Sequence, residues 1–173
     1  MPVIGRHRVL YILLGIMGLS VGTLVYLIDR DPEHIYFIYH NSIGLSLYHT
    51  LPNLFGPVGK SLPTFIHVFS FILLTAGFVT CSRKGYFVIC LCWVFVDLLF
   101  ELGQKFKTWS VMLTPDWFSG IPYLENSRNY FLYGSFDLND IGSVILGAIL
   151  AYVLLISTTK EECTCGKRKS WEK

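Results

Sequence analysis

The sequence predicts an all-α polytopic membrane protein, a bundle of about four transmembrane helices with two aromatic-rich outer loops. The first observation is composition: of 173 residues, 53% are hydrophobic and only 15% are charged. Soluble domains carry roughly 25% charged residues, so the bilayer is the natural solvent for this chain. The second observation is that four apolar segments approach the ~20 residues needed to cross a ~30 Å hydrocarbon core. The length favours a single domain.

The four apolar segments follow one another with short polar breaks or long connections. Because the first apolar run exceeds the ~7–15 residues of a signal-peptide core, and no small-x-small cleavage site precedes Asp29, we interpret it as an uncleaved anchor. In chain order the segments cover residues 9–28, 62–80, 85–104 and 140–157, followed by a tail at residues 158–173.

The distribution of Lys and Arg predicts the orientation. With both termini in the cytoplasm, nine of the 14 Lys and Arg residues lie inside and five lie outside. Because positive charge is retained in the cytoplasm, this excess favours an N-in, C-in, multi-pass protein of the cytoplasmic (inner) membrane. Segments two and three are joined by the tight turn at residues 81–85, so we expect them to pack as an antiparallel hairpin.

The two connections placed outside, residues 34–61 and 105–138, are long and rich in aromatic residues. Such rings prefer the headgroup layer, so we expect both connections to lie along the outer interface as aromatic belts. The alternative is a lid that binds a lipid or a glycan. The first connection is too interrupted by polar, Gly and Pro residues to form a fifth span, and it is either interfacial or re-entrant.

Small residues mark the predicted helix contacts. Gly18 and Gly22 form a Gly-x-x-x-Gly pair in the first segment, and Ser143, Gly147 and Ala151 recur every fourth residue in the fourth segment. Small side chains at this spacing allow the backbones of membrane helices to approach closely.

Several function classes find no support. A net charge of +2 without a basic stripe argues against nucleic acid, and no nucleotide, dinucleotide or zinc-protease motif predicts a cofactor. The five cysteines, an odd number with two in an apolar segment, do not indicate a disulfide framework. The pair Cys163 and Cys165 lacks a second ligand pair, so an inert tail is favoured over a metal site.

The most informative residues are ionisable side chains inside apolar segments, which usually face the interior of a bundle. Asp97, Glu101 and Gln104 are spaced i, i+4, i+7 in the third segment and share one face. The second segment contains His67. Counting ~1.5 Å of rise per residue from each membrane boundary places His67 and Glu101 both about 8 Å below the outer surface, with Asp97 deeper.

Asp137 and Asp140 open the fourth segment and complete this candidate polar site. They also fit a plain capping pair at a helix N-terminus. His67 fits a structural latch with Glu101, whereas two buried carboxylates on one face repel unless one is protonated or a cation lies between them. His67, Glu101 and Asp140 could hold a divalent metal, but they lack the spacing that is diagnostic of a metal site. Ser70 could be a nucleophile, but the sequence around it does not indicate an activating turn.

These residues resemble the VanZ-like family of small envelope proteins over residues 62–152. The family's His is matched by His67, and its Glu-x-x-Gln motif by Glu101 and Gln104. Its segment opening the last helix is matched by Phe136, Asp137, Asp140 and Gly147 in FDLNDIGSVILG. The family's Arg falls at Gly134, its Asn at Val144 and a frequent Lys at Thr64, so a cation from the outer loop, Lys105, Lys107 or Arg128, is the expected replacement for the missing charge.

The resemblance implies an envelope role connected with antibiotic resistance and supplies no reaction. The favoured function is a non-enzymatic or accessory protein whose outer polar pocket binds a lipid headgroup, a lipid-linked precursor, a glycopeptide antibiotic or a partner helix. The alternatives are an intramembrane enzyme or proton-coupled carrier using Asp97, Glu101 and His67, or a small subunit of a larger membrane complex. Membrane lipids and a membrane-protein partner are the expected contacts.

Overall fold

Helices are the regular secondary structure throughout the described part of the chain. The computed structural model describes residues 6–31, 46–48, 50–79, 82–121 and 124–169, with side chains from residues 7 to 159 of those ranges. The α-helices are α1 (Arg6–Asp29), α2 (Leu62–Phe78), α3 (Arg83–Lys105), α4 (Lys107–Leu113), α5 (Ser127–Tyr133) and α6 (Leu138–Lys169). Short 3-10 helices cover Gly56–Lys60, Asp116–Gly120 and Leu124–Asn126.

Three of these helices are long and apolar enough to cross a membrane: α1, α3 and the part of α6 from Leu138 to Thr159. The protein is therefore all-helical in its described part, with the composition of a membrane protein. The apolar helix α2 has 17 residues. At 1.5 Å per residue it is about 26 Å long, at the lower limit for a span.

Helix α2 lies at the centre and packs against α1, α3 and α6. Its side chains Val68, Ile72, Leu73 and Ala76 are fully buried, although the helix is short. By contrast, α1, α3 and α6 each bury 28% of their most apolar stretch and leave the rest exposed. The outer helices thus present apolar faces outward, as helices surrounded by lipid do.

Glycines make the closest contacts around α2. A Cβ on Gly18 would overlap the Ser70 hydroxyl, and a Cβ on Gly22 would lie 3.3 Å from Ile66. A Cβ on Gly147 of α6 would lie 2.7 Å from the backbone oxygen of Phe65. In the same stripe of α6, Ala151 is fully buried and Ser143 is half-buried.

The helices alternate in direction, which defines two ends of the bundle. At the terminal end, Arg8 donates to Gly77 O (2.9 Å) and Phe78 O (2.6 Å) at the last turn of α2. The hydroxyls of Tyr11 and Thr158 are hydrogen-bonded at the same end. At the loop end lie the end of α1, the start of α2, the end of α3 and the start of α6.

The last helix extends beyond its apolar segment. The hydropathy pattern ends at residue 157, whereas α6 continues to Lys169. Apolar character and helix formation are separate properties, because Lys and Glu are good helix formers in water. The side chains of residues 160–169, including Cys163 and Cys165, lie outside the described part, and so does the prediction made for them.

The second connection contains more regular structure than the expected loop. Helices α4 and α5 and two 3-10 helices occupy it, with Trp109, Trp117 and Tyr133 at 68%, 64% and 75% exposure. For the first connection, residues 32–45 and 49 lie outside the described part. Next to them, the Asp29 carboxylate accepts hydrogen bonds from Leu54 N (3.0 Å) and Phe55 N (2.8 Å).

Candidate functional site

A cavity of 440 Å³ lies at the loop end between α1, α2 and α3, and α5 forms one side of it. This volume is within the ~300–1,000 Å³ typical of small-molecule sites. Its walls combine carboxylates with hydroxyl, aromatic and aliphatic groups. The lining residues are Leu19, Gly22, Thr23, Tyr26, Pro63, Thr64, Ile66, His67, Asp97, Phe100, Glu101, Ser127 and Tyr130.

His67 and Asp97 form a hydrogen-bonded pair in the wall of this cavity. His67 Nδ1 lies 3.0 Å from Asp97 Oδ1. Beside a carboxylate the imidazole donates its Nδ1–H, which leaves Nε2 outside the pair. The Asp97 residue is only 8% exposed, whereas the His67 side chain is 48% exposed.

This pair differs from the expected latch between His67 and Glu101. The sequence-based expectation counted the depth of His67 down α2 from the outer membrane surface. It took that surface to lie at the same height for α2 and α3. Counted from the common turn instead, His67 is about 17 Å up α2, and Asp97 and Glu101 are about 21 and 27 Å up α3. Because α2 is shorter than α3, His67 lies closer in height to Asp97.

Glu101 lies one turn beyond Asp97 and is 7% exposed. The backbone N–H of Asp137 lies close to its carboxylate. The Glu101 oxygen Oε2 has no hydrogen-bond partner among the described residues, and the same is true of Asp97 Oδ2. Each carboxylate in the cavity wall therefore keeps one buried, unsatisfied acceptor.

The two aspartates at the start of α6 lie near Glu101 but are not among the residues that line the cavity. Asp137 and Asp140 are close enough for their charges to act on Glu101. Asp137 Oδ1 also accepts a hydrogen bond from Asn139 N at 2.9 Å, as a residue at a helix start does. Asp140 Oδ1 is buried without a partner in the described part of the chain.

Gln104 is buried, and its side chain lies close to the Tyr130 hydroxyl. Burial raises the pKa of Tyr130 well above its usual value, and the charge of Glu101 raises it further. Tyr130, Tyr26 and Phe100 are cavity residues that the sequence did not single out. Tyr26 had a usable signal, because it follows Gly18 and Gly22 at the same four-residue spacing.

The expected cationic partners of these carboxylates are engaged elsewhere. Lys107 donates to Leu132 O (2.9 Å), and Arg128 contacts Asp116 (2.5 Å) and Thr114 O (3.2 Å). Lys105 lies 5.0 Å from the centroid of the Phe136 ring.

The internal stretches outside the described part, residues 32–45, 49, 80–81 and 122–123, contain no Lys or Arg in the sequence. The chain thus supplies no described Lys or Arg contact to Asp97 or Glu101.

Two further arrangements considered from the sequence are not assembled. Within the described ranges, no three His, Cys, Asp or Glu side chains are grouped so that they could hold a metal ion, including His67, Glu101 and Asp140. The Ser70 hydroxyl is buried against Gly18 and has no hydrogen-bond partner in the described part of the chain, so no base activates it.

Comparison of the chain with protein-family models, with curated proteins and with solved structures gives no match. The candidate site therefore rests on its geometry: a cavity, a His–Asp pair and two buried carboxylate oxygens that lack donors.

Proposed function

We propose that this chain is a non-enzymatic or accessory membrane protein whose cavity at the loop end binds a molecule carrying a positively charged amine. The observation that carries the proposal is the pair of buried acceptors, Asp97 Oδ2 and Glu101 Oε2, on two residues that line a cavity of ligand size.

Electrostatics favours a cation in this place. A buried carboxylate oxygen without a donor is costly, and two carboxylates on one helix face also repel each other. A bound cation relieves both effects, and the cationic side chains of the outer loop bond elsewhere.

The remaining walls favour an amphipathic ligand. Tyr26, Phe100 and Tyr130 supply aromatic rings, which attract cations and pack on apolar groups. Leu19 and Ile66 supply aliphatic surface. Candidates are a lipid headgroup, a lipid-linked precursor, an amine-bearing antibiotic, or a basic residue on a partner helix.

The membrane setting completes the proposal. We propose that α2 spans the membrane together with α1, α3 and α6. Both termini then lie in the cytoplasm, and the loop end faces outward. The positions of Arg8 and Thr158 at one end of the bundle support this topology, because α1 and α6 then cross in opposite directions. A VanZ-like envelope role in the inner membrane agrees with this arrangement and rests on the sequence resemblance alone.

A binding measurement tests the proposal. We expect dodecylamine to bind the purified, detergent-solubilised protein more tightly than dodecanol, and Asp97→Asn and Glu101→Gln to remove that preference. Asp116→Asn is the matched control, because the Asp116 side chain is 95% exposed and lies outside the cavity wall. Equal binding of the amine and the alcohol to the wild-type protein would refute the proposal.

The hydrogen-bonded His67–Asp97 pair supports a second candidate, a proton-coupled carrier or intramembrane acid–base enzyme. Such a protein must change the protonation of this pair during turnover, whereas a binding protein need not. Proteoliposomes containing a pH-sensitive dye separate the two: amine-dependent proton movement that Asp97→Asn abolishes indicates the carrier, and its absence indicates the binding protein.

A further inference from the structure

We infer that the cavity selects a primary ammonium group, such as the amine of an ethanolamine headgroup, over a quaternary ammonium group such as choline. This inference rests on the proposed function and narrows it to one ligand chemistry.

The unsatisfied acceptors require hydrogen-bond donors as well as positive charge. Asp97 already uses one oxygen, because Oδ1 accepts from His67, and the Asp137 backbone N–H lies close to the Glu101 carboxylate. The oxygens that remain, Asp97 Oδ2 and Glu101 Oε2, have no described partner. A primary ammonium carries three N–H donors, whereas a quaternary ammonium carries none.

The two acceptors leave the same face of one helix. Asp97 and Glu101 are four residues apart on α3, so their Cα atoms are separated by about 6 Å along the helix axis. An ammonium that reaches either oxygen can donate to it, at the ~2.7–2.9 Å typical of charge-assisted bonds. A further N–H is left for a hydroxyl of the same cavity, where Tyr26, Thr64 and Tyr130 supply three.

The aromatic rings of the cavity do not reverse this preference. Tyr26, Phe100 and Tyr130 can attract any ammonium through cation–π contact, whether primary or quaternary. A quaternary ammonium would keep that attraction, yet its methyl groups would leave both carboxylate oxygens without a donor. Leaving a charged acceptor unsatisfied costs more free energy than leaving a neutral acceptor unsatisfied. We therefore expect the quaternary ligand to bind more weakly.

Short-chain phospholipids that differ only in N-methylation test the inference on the wild-type protein. We would titrate dihexanoyl phosphatidylethanolamine, its N-methyl and N,N-dimethyl derivatives, and dihexanoyl phosphatidylcholine, and measure binding by calorimetry in detergent. We expect affinity to fall with each methyl group added, by about tenfold or more over the series. Equal affinity across the series would overturn the inference.

A second pair of ligands identifies the source of the amine. Dodecylamine has a primary ammonium group and dodecyltrimethylammonium a quaternary one, and neither carries a phosphate. Selectivity in both pairs means that any amphipathic primary amine is recognised. Selectivity in the phospholipid pair alone means that the ethanolamine headgroup is recognised as a unit. Both results support the inference.

Variants separate this inference from the proposed function. In Glu101→Gln the preference for the ethanolamine lipid should fall well below that of the wild-type protein, because one of the two charged acceptors is lost. Glu125→Gln, an exposed residue outside the cavity wall, should keep the wild-type preference. If Glu101→Gln weakens both lipids equally while the wild-type protein does not discriminate between them, the cation site stands and the inference fails. If dodecanol binds as tightly as dodecylamine, the proposed function fails as well.

Discussion

Asp97 and Glu101 are chemically similar residues one helical turn apart, and the fold treats them differently. Asp97 is hydrogen-bonded to a side chain, His67, whereas Glu101 lies close to the backbone at the start of α6. Replacing either one therefore disturbs a different part of the bundle. Both are 8% exposed or less, so their remaining oxygens depend on a ligand or a proton.

Glu101→Gln should leave the fold intact and impair binding. The Gln amide oxygen can face the Asp137 N–H as the carboxylate does, and Gln has nearly the shape of the acid it replaces. The negative charge toward the amine is lost, so amine affinity should fall about tenfold or more.

Asp137→Asn is the matched variant, because Asn still accepts from the Asn139 N–H and the change costs about 1 kcal/mol or less. Thermal unfolding and amine binding, measured on the same preparations, check both variants. Wild-type binding by folded Glu101→Gln would show that this carboxylate is not part of the site.

His67 and Asp97 should be energetically coupled. Asp97→Asn and His67→Phe each remove the charged hydrogen bond, so the double variant should be less destabilised than the sum of the two by about 0.5–3 kcal/mol. Equilibrium unfolding of the four proteins in mixed micelles gives the coupling free energy. Strict additivity would show that the 3.0 Å contact contributes no net stability.

Part of this site could be predicted from residue spacing. A stripe at i, i+4, i+7 places Asp97, Glu101 and Gln104 on one helix face, and the structure buries all three. The partner of His67 could not be predicted, because it depends on the relative heights of two helices of unequal length. Tyr130 was equally out of reach, since its place over the cavity depends on the path of the second connection.

At the scale of elements, glycines decide how closely α1 and α6 approach α2. The sequence identified Gly18, Gly22 and Gly147 as contact positions from their spacing, and each lies against α2. The identity of the neighbour was not encoded in that pattern, because a small-residue stripe indicates a close contact without specifying which helix makes it.

Gly147→Leu should destabilise the bundle far more than Gly142→Leu. A Cβ at Gly147 would lie 2.7 Å from the backbone oxygen of Phe65, which cannot rotate away, whereas at Gly142 nothing lies within 4 Å. Overpacking costs typically 1–3 kcal/mol, while at Gly142 the better helix propensity of Leu should be neutral or stabilising. Unfolding in detergent measures both variants. Similar stability of the two would show that α6 does not pack on α2 at this position.

For the whole molecule, the sequence predicted the class and the number of apolar segments, and the structure adds their arrangement. Helix α2 contains no Asp, Glu, Lys or Arg, which agrees with its place at the centre. Its 17 residues fall short of the ~20 of a lipid-facing span, and a central helix packed against other helices need not reach that length. The four helices alternate in direction and concentrate the buried carboxylates at one end. The bundle is therefore polar along its axis.

This polarity makes the orientation in the membrane testable with cysteine labelling. We expect Cys163 to resist a membrane-impermeant maleimide in intact cells, and Ser135→Cys, an exposed position between α5 and α6, to react with it. The other native cysteines would be replaced by Ala so that each protein carries a single thiol. The physical reason is the excess of Lys and Arg on the side that the sequence assigns to the cytoplasm, nine against five of the 14 residues, which favours retention of that side in the cytoplasm.

Permeabilised cells provide the control for that labelling, since both thiols should then react. Labelling of Cys163 in intact cells would show that the bundle has the opposite orientation, with the acidic cavity facing the cytoplasm. An amine ligand would then have to come from the inner leaflet. The labelling thus shows which leaflet the cavity faces. It also shows from which leaflet an amine-bearing lipid could reach the cavity.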